Sequence, residues 1–592
     1  MTREWVVTLY RKEDLESFYE DMETPGGNLH IPNRAINVEH RREISRNTHY
    51  MLEDAEVELL KQDERVWDVT LRELNEMSIQ PSGWATTNQD YHKTGWSAAN
   101  GFAVTHVATH RNWGLLRHAS GQQISTWGGE PSDTRSVTAD LTVTASGKNV
   151  DVVIADGHID PAHPEFAVNA DGTGGSRVIQ ENWFNHGTHP GGTFGTSYPY
   201  SDNGSYVTAT YAGNNNHGCH VGSTVAGNTQ GWARDANIYN ISPFAIATND
   251  GTAGNPNTGS ASISSFMWDY LRVWHNTKPV NAATGRKNPT IINCSFNSAF
   301  SIDSGNVGPI TSINYRGTVT SGTGFTALGL AQRGIPTMYY PTSQHRTGGS
   351  PPLRIPYSST SSIADMEDAI EAGIVVTNSS DNQSWKIVDS TDQDYNNTAT
   401  YTIGGTAYTL SSHRGGGQPF SEGVNSPIVV GAMSTDTDEG QGWFSNIGNR
   451  VDVFAAGMHI QGSVTSNTYG SAGGADPRNS SYFMTKMNGT SMAAPQVCGV
   501  LACLAESWPN MTCAEARVWL NKYGESDLMH DTGADDPNDR SSLQGAKNLI
   551  LRWFNQRPAE DIAFPAKANW AYANRPASGG VFPRSKNNVH GK

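Results

Sequence analysis

Cysteine is scarce in this chain, with five in 592 residues, at positions 219, 294, 498, 503 and 513. The number is odd and the spacings are not those of a metal site, which argues against a disulfide framework or a structural zinc and for free thiols. Long apolar runs are missing too. None approaches the ~20 residues that span a bilayer as a helix, so no membrane association is expected. Basic charge is short: 41 Lys and Arg stand against 57 Asp and Glu, for a net charge of −16. That balance speaks against a surface built for a phosphate backbone, and no nucleic-acid partner is expected. The opening stretch turns charged at Arg11-Lys12-Glu13-Asp14 without an apolar h-region. The expectation is a chain that does not leave by the general secretory route.

What is present is glycine (61 residues) and a modest hydrophobic share of 36%, as in a globular protein with long polar loops. The length predicts two or more domains. Residues 1–80 read as a small α+β domain. Trp5–Tyr10 is strand-like, and Leu15, Phe18, Tyr19 and Met22 share a helix face that stops before Pro25-Gly26-Gly27. A second helix near Glu53–Gln62 carries Ala55, Leu59 and Leu60, and Val66–Leu71 is a further strand. This order suggests a split βαβ sheet with two helices on one face. Residues 81–147 form an extension or linker with Trp84, Trp96, Trp113 and Trp127. These tryptophans are either a ligand platform or, the favoured reading, anchors onto the next domain.

From 148 to 530, apolar strands alternate with helical text. Strands are expected at Asn149–Asp156, Ala236–Ile241, Thr290–Phe296, Ile374–Thr377, Ile428–Ala432 and Val451–Ala455. Helices are expected near Val221–Ala226, Ser264–Trp274 and Ile363–Ala372, and from Ser491 to about Trp508. The alternation predicts an α/β fold with a doubly wound, mostly parallel sheet. Residues 298–360 read as a large insertion. Residues 531–592 read as a C-terminal extension, with a Pro-, Asn- and Gly-rich arm suited to holding a partner subunit.

Chemistry concentrates at Asn488-Gly489-Thr490-Ser491-Met492-Ala493-Ala494-Pro495. A serine at a loop-to-helix junction sits in the positive end of the helix dipole, beside unpaired backbone N–H groups. That suits a nucleophile whose reaction makes an oxyanion. The plainer reading is a serine N-cap. A nucleophile needs a base, and the base an orienting acid. His217 opens a helix of small residues, and Asp156 ends an apolar strand. His217 and His220 could together touch a metal, but no H-E-x-x-H pattern or nearby acid accompanies them.

These segments resemble the signature segments of subtilisin-like serine proteases, and Asp156, His217 and Ser491 follow that family's chain order. Val152–Asp156 is similar to the aspartate segment, His217-Gly218-Cys219-His220-Val221 to the histidine segment, and Asn488–Pro495 to the serine segment. Glu371–Val376, running on to Asp381-Asn382, resembles the oxyanion strand, and Ile291–Phe296 the strand that pairs with substrate backbone. The resemblance covers about 148–525. It implies a serine endopeptidase acting on polypeptides through an acyl-enzyme. Ser491 would be the nucleophile, His217 the base, Asp156 its orienting acid and Asn382 the oxyanion donor. Ser295, Phe296, Asn297 and Asp381 would lie along the substrate. No cofactor is required; calcium is common in the family, and Glu165 stands where a ligand often sits, but no calcium site is recognisable.

The chain also departs from the family. Gly157 replaces a hydroxyl residue after the aspartate, and His158, read as a solvent-facing loop histidine, replaces Gly. Cys219 replaces Thr beside the base. Asp381 and Asn297 replace glycines, and Asp381 suggests an acidic wall favouring a basic substrate side chain. Residues 4–77 are more faintly similar to the family's inhibitor-type propeptide; the other reading is a permanently attached domain. A rival reading of the whole chain is structural. A subtilisin-like domain would be retained in a larger assembly, such as a virus particle, through the 298–360 insertion and the C-terminal tail, with incidental or no catalysis. The corresponding location is cytoplasmic or within a virion.

Overall fold

The structure, a computed structural model, describes residues 2–24, 37–41, 46–71, 83–93, 108–124, 127, 136–180, 216–241, 261–296, 299–302, 311–321, 353–356, 360–382, 384–403, 405–411, 421–436, 438–465, 474–534 and 541–554. These residues fall in two compact units, one within 1–80 and one within 81–564.

The first unit is a four-stranded antiparallel sheet of β1 (Arg3–Leu9), β2 (Asn37–Arg41), β3 (Asn47–Leu52) and β4 (Val66–Leu71), in the order β2-β3-β1-β4. Helices α1 (Leu15–Glu23) and α2 (Asp54–Leu60) complete a β-α-β-β-α-β chain order. Leu15, Phe18 and Met22 of α1 meet Leu9, Tyr50, Leu52, Val57 and Leu60 in one core. Two details differ from the sequence reading. Strands β2 and β3 were not anticipated, because β3 alternates inward Thr48, Tyr50 and Leu52 with polar Asn47 and His49. In α2 the inward residues are Val57 and Leu60, whereas Leu59 is exposed; the 100° step per residue puts Leu59 on the other face.

The second unit is built on a nine-stranded sheet, a doubly wound, mostly parallel α/β arrangement. In chain order its strands are β7 (Asp151–Ala155), β8 (Val178–Gln180), β9 (Asn237–Ile241), β10 (Thr290–Cys294), β15 (Val375–Ser379), β18 (Ile428–Met433), β19 (Val453–Ala456), β23 (Glu525–Ser526) and β24 (Leu549–Ile550). The spatial order is β23-β24-β19-β18-β15-β10-β7-β9-β8, and only the edge pair β23–β24 is antiparallel. Buried on both faces, β7, β10 and β18 read as nearly continuous apolar runs.

Around this sheet stand α3 (Trp113–Ser120), α4 (Asn216–Ala226), α5 (Ala261–Thr277), α6 (Thr360–Glu371), α7 (Thr490–Ser507) and α8 (Cys513–Tyr523). Helix α7 is buried from Thr490 to Glu506, as its all-round apolar surface requires. Thr512 and Glu515 cap α8 reciprocally. Strand β5 (Trp84–His92) pairs antiparallel with β6 (Ser136–Val143). Strands β20 (Ile460–Val464), β21 (Gly474–Asp476) and β22 (Asn479–Met487) form a small antiparallel sheet in the order β20-β22-β21.

Within the 298–360 stretch, β11 (Ala299–Ile302) pairs with β14 (Leu353–Pro356). Strands β12 (Ser312–Tyr315) and β13 (Thr318–Ser321) join β16 (Thr398–Ile403) and β17 (Thr406–Ser411) in a separate sheet. The insertion thus shares a sheet with a hairpin from after β15 that the sequence reading did not mark.

Helix α3 lies inside the tryptophan-rich stretch and is a core element. Trp113 Nε1 donates to Met458 O at 2.8 Å. Arg117 pairs with both oxygens of Glu439 at 2.7 Å. His118 donates through Nδ1 to Leu551 O, while its Nε2 accepts from Ala456 N. Trp84 donates to Trp232 O, and the Arg234 guanidinium lies 3.4 Å over its ring. Trp96 falls outside the described residues. All five cysteines are free and buried. No helix among the described residues is long and apolar enough to cross a membrane.

Candidate active site

Chain order along the sheet reverses between β7 and β10: β8 and β9 lie on one side of β7, and β10 and β15 on the other. In open α/β sheets the crevice outside the carboxyl ends of the strands at such a switch point is where ligands bind. Asp156 follows β7 and Ser295 follows β10, and the two strands pair in register from Asp151–Thr290 to Ala155–Cys294. Asp156 is almost fully buried and its backbone N–H bonds to Ile241 O. Its Oδ1 accepts from Gly157 N at 2.6 Å, so Gly157, without a hydroxyl, still supplies a backbone donor. Asn240, a buried polar residue one short of the end of β9, holds the turn. Its Nδ2 donates to Ile154 O and Gly157 O, and its Oδ1 accepts from Ile159 N. The sequence reading passed over Asn240, although an amide in a buried strand is itself a signal that something nearby needs satisfying.

His217 stands at the start of α4, with Nδ1 2.8 and 3.0 Å from the two oxygens of Asp156 and 36% of its side chain exposed. The acceptor fixes the proton on Nδ1 and leaves Nε2 as the basic nitrogen. Burial opposes the imidazolium, but the Asp156 charge and hydrogen bond outweigh it, and the pKa ends above the ordinary histidine value. Helix α4 reaches this position because residue 218 is Gly: a Cβ there would strike Gly157 O. The helix is seated on β20 by His220 Nε2 to Ile460 O, Ser463 N to Ser223 Oγ and Ser463 Oγ to Cys219 O. Burial pushes the Cys219 thiol up to about 12, which leaves it a packed, inert group.

Ser491 is the second residue of α7, and the N-cap is Gly489 without a side-chain cap bond. The serine N-cap reading is therefore corrected. The first orphan amide, Thr490 N, is satisfied from across the loop by Asn382 Oδ1 at 2.8 Å, which also accepts from Thr490 Oγ1. Asn382 is itself exposed. Pro495 has no N–H to give Ser491 O, four residues earlier, and Ser295 Oγ donates to that carbonyl instead at 3.0 Å. In return Ser491 Oγ donates to Ser295 O at 3.2 Å. His217 and Ser491 form no hydrogen bond with each other here. Strand β7, which leads into Asp156, pairs with β10, which leads into Ser295, and β20, on which α4 is seated, pairs with β22, which precedes Ser491.

Of the remaining predicted residues, Phe296 packs half-buried against the main core, and Asn297 lies outside the described residues. Asp381 adopts φ 83°, the left-handed region where Asp is tolerated better than most non-glycine residues. Its buried carboxylate accepts from Asn382 N at 2.7 Å. This bond shapes the loop, and the carboxylate that the sequence reading took for an acidic wall is buried. His158 is also corrected: it is buried, not solvent-facing, because the loop after β7 folds inward under Asn240.

Glu165 is sealed in a cluster the sequence did not reveal. It accepts from Thr229 Oγ1 and N, from Gln230 N and from Arg478 Nη2, which also holds Asp476. Among the described residues no group of three or more His, Cys, Asp or Glu is arranged to hold a metal.

A family model described as the subtilase family matches residues 147–536. Among curated proteins, Subtilisin-like protease 8 of Trichophyton verrucosum (strain HKI 0517) is 32% identical over 125 residues, covering 20% of this chain and 22% of that protein. Subtilisin DY of Bacillus licheniformis is 31% identical over 97 residues, covering 16% and 29%. Cerevisin of Saccharomyces cerevisiae is 27% identical over 154 residues, covering 24% and 22%. The matched segments thus span less than a third of each relative's length. A solved structure described as a cold adapted subtilisin-like serine proteinase aligns with 73% of this chain and 97% of its own, at 16% identity and a TM-score of 0.36.

Proposed function

The chain belongs to the subtilase family, matched over residues 147–536, and on that premise we propose that it is a serine endopeptidase that hydrolyses polypeptides through an acyl-enzyme. The observation that carries the reading is the His217–Asp156 pair. A carboxylate holds Nδ1 at 2.8 Å and leaves Nε2 on a partly exposed ring, beside the strand end that holds Ser491.

In this reading a substrate backbone N–H arriving at Ser295 O displaces the Ser491 hydroxyl, which rotates toward His217. Ser491 Oγ attacks the scissile carbonyl while Nε2 takes its proton, and His217 gives that proton to the amine as the C–N bond breaks. Water, deprotonated by the same Nε2, then attacks the acyl-enzyme and releases the acid as the proton returns to Ser491 Oγ. Asp156 keeps the tautomer and stabilises the imidazolium. The negative oxygen is received by Asn382 Nδ2 and by the Ser491 N–H, which lies in the first helical turn where backbone donors lack partners within the helix. One such side-chain donor contributes ~10²–10³ in turnover.

The test compares wild type with Ser491→Ala for labelling by a serine-directed fluorophosphonate and for chain length on a gel. Labelling confined to wild type supports the enzyme, and a shortened wild-type chain adds self-processing. A wild-type chain that is neither labelled nor active on unfolded protein would end the reading.

A further inference from the structure

Helix α3 lies before the residues matched by the family, yet a continuous buried amide chain joins it to the helix that carries Ser491. Asn112 caps α3, its Oδ1 accepting from Gly114 N at 2.9 Å. The same oxygen accepts from Gln496 Nε2 at 3.0 Å, on α7 five residues after Ser491. Gln496 Oε1 in turn accepts from Trp232 Nε1 at 2.7 Å. On its other side Asn112 is locked to the loop after α4: its N donates to Gln230 Oε1 at 2.7 Å and its Nδ2 to Gln230 O at 3.2 Å. Gln230 N donates to Glu165 Oε2, so the chain ends on the loop that follows Asp156.

Asn112, Gln230, Trp232 and Gln496 are each fully buried. Residue 114 is Gly of necessity, because a Cβ there would meet Gln496 Nε2 and Ala456 Cβ. A cap alone needs one acceptor and one amide. Asn112 uses its backbone N–H, its side-chain NH2 and both acceptor directions of its oxygen, on three different segments.

We infer that Asn112 is a positioning residue of the catalytic unit: acting through Gln496 and Gln230, it sets the first turns of α7 against the loop that follows α4, the helix carrying His217, and through Glu165 against the loop that follows Asp156. The segment around α3, which precedes the family match, is then a working part of the enzyme. The inference rests on the reading of Ser491 as nucleophile.

Three variants of the full chain separate capping from positioning. Asn112→Ser keeps a hydroxyl able to cap Gly114 but has no amide to reach Gln496 and Gln230. Asn112→Ala lacks both, and Gln496→Met removes the partner on α7 at nearly constant volume. Each is measured for the rate of fluorophosphonate labelling, for kcat and KM on fluorescein-labelled casein, and for amide hydrogen exchange.

Asn112→Ser and Gln496→Met are expected to label and turn over about 10- to 100-fold more slowly, the scale of a misplaced reacting group. KM should be unchanged, and exchange should quicken across Thr490–Gln496 while the rest of the chain exchanges as in wild type. Full rescue by Asn112→Ser makes the residue a mere cap and overturns the inference. Uniformly faster exchange across the chain makes it an ordinary core residue, with the same result. Exchange across Thr490–Gln496 decides the matter whether or not wild type is labelled. No change there in either variant sinks the inference, whereas an unlabelled wild type sinks only the endopeptidase reading.

Discussion

Asp156 and Glu165 are carboxylates nine residues apart on one stretch of chain, both buried, and they are put to opposite uses. Asp156 faces an imidazole that keeps 36% of its side chain exposed, whereas Glu165 faces an Arg478 that keeps 13%. Around Glu165 every donor is internal: a guanidinium, a hydroxyl and two backbone N–H groups. Burial opposes its charge, but Arg478 and Thr229 outweigh burial and hold the pKa at about 2. Around Asp156 the partner is a partly exposed imidazole that can still change its protonation state. The two sites differ less in the acid than in how far its partner is open to solvent. A sealed pair ties segments together, and a half-open pair can move a proton.

That contrast is broken or sharpened by substitution on each side. His217→Ala should lower turnover on unfolded protein by about 10⁶-fold, the scale known for subtilisin itself, with an unchanged thermal midpoint. A large drop in Tm would mean that the half-open pair is also a structural tie. Asp156→Asn should cost about 10⁴-fold and should also move the acid limb of kcat/KM. His217 must be neutral to act as a base, and its pKa is raised, so the wild-type limb should lie above the ordinary value of 6.5. Without the carboxylate only burial remains, and the limb should shift to lower pH.

On the sealed side, Arg478→Met leaves Glu165 and Asp476 buried without their cation. Stability should fall by about 3–5 kcal/mol, read by denaturant unfolding, while the folded fraction keeps its kcat. A selective loss of kcat would put Arg478 in the chemistry. The smallest effect is the acid dependence of Glu165. Its folded pKa of about 2 lies below the reference 4.5, so its contribution is complete above pH 4.5. It is lost as pH falls toward 2, because the unfolded chain takes up the proton first. The loss is on the order of 3 kcal/mol at ~1.4 kcal/mol per unit. Glu165→Gln should flatten that part of the stability curve, and an unchanged slope would assign the acid sensitivity to other carboxylates.

The parts legible in the sequence were the local ones. The apolar runs of β7, β18 and β19 are nearly continuous because both faces are covered, and the small-residue helix at His217 and the loop-to-helix junction at Ser491 are written in adjacent letters. The parts that were not legible depend on distant partners. His158 looked like a loop residue until Asn240 folded its loop inward. The β20–β22 sheet, which seats α4 and leads into Ser491, has an alternation masked by buried Gln461, Ser463 and Thr485. Nothing near Arg478 in the sequence announces Glu165.

The alternation of strands and helices through β7, β9, β10, β15, β18 and β19 and the residue types at those strand ends were determined by the sequence, because burial and backbone geometry act over a few residues at a time; the reversal of strand order between β7 and β10 belongs to the tertiary structure. Only tertiary structure decided that Ser295 Oγ would take the carbonyl that Pro495 leaves open, that Asn382 would cap Thr490, and that Asn112 would reach Gln496. Hydrogen-bonding groups buried from water must find partners wherever the folded chain places them, and those partners lie 100 to 400 residues away.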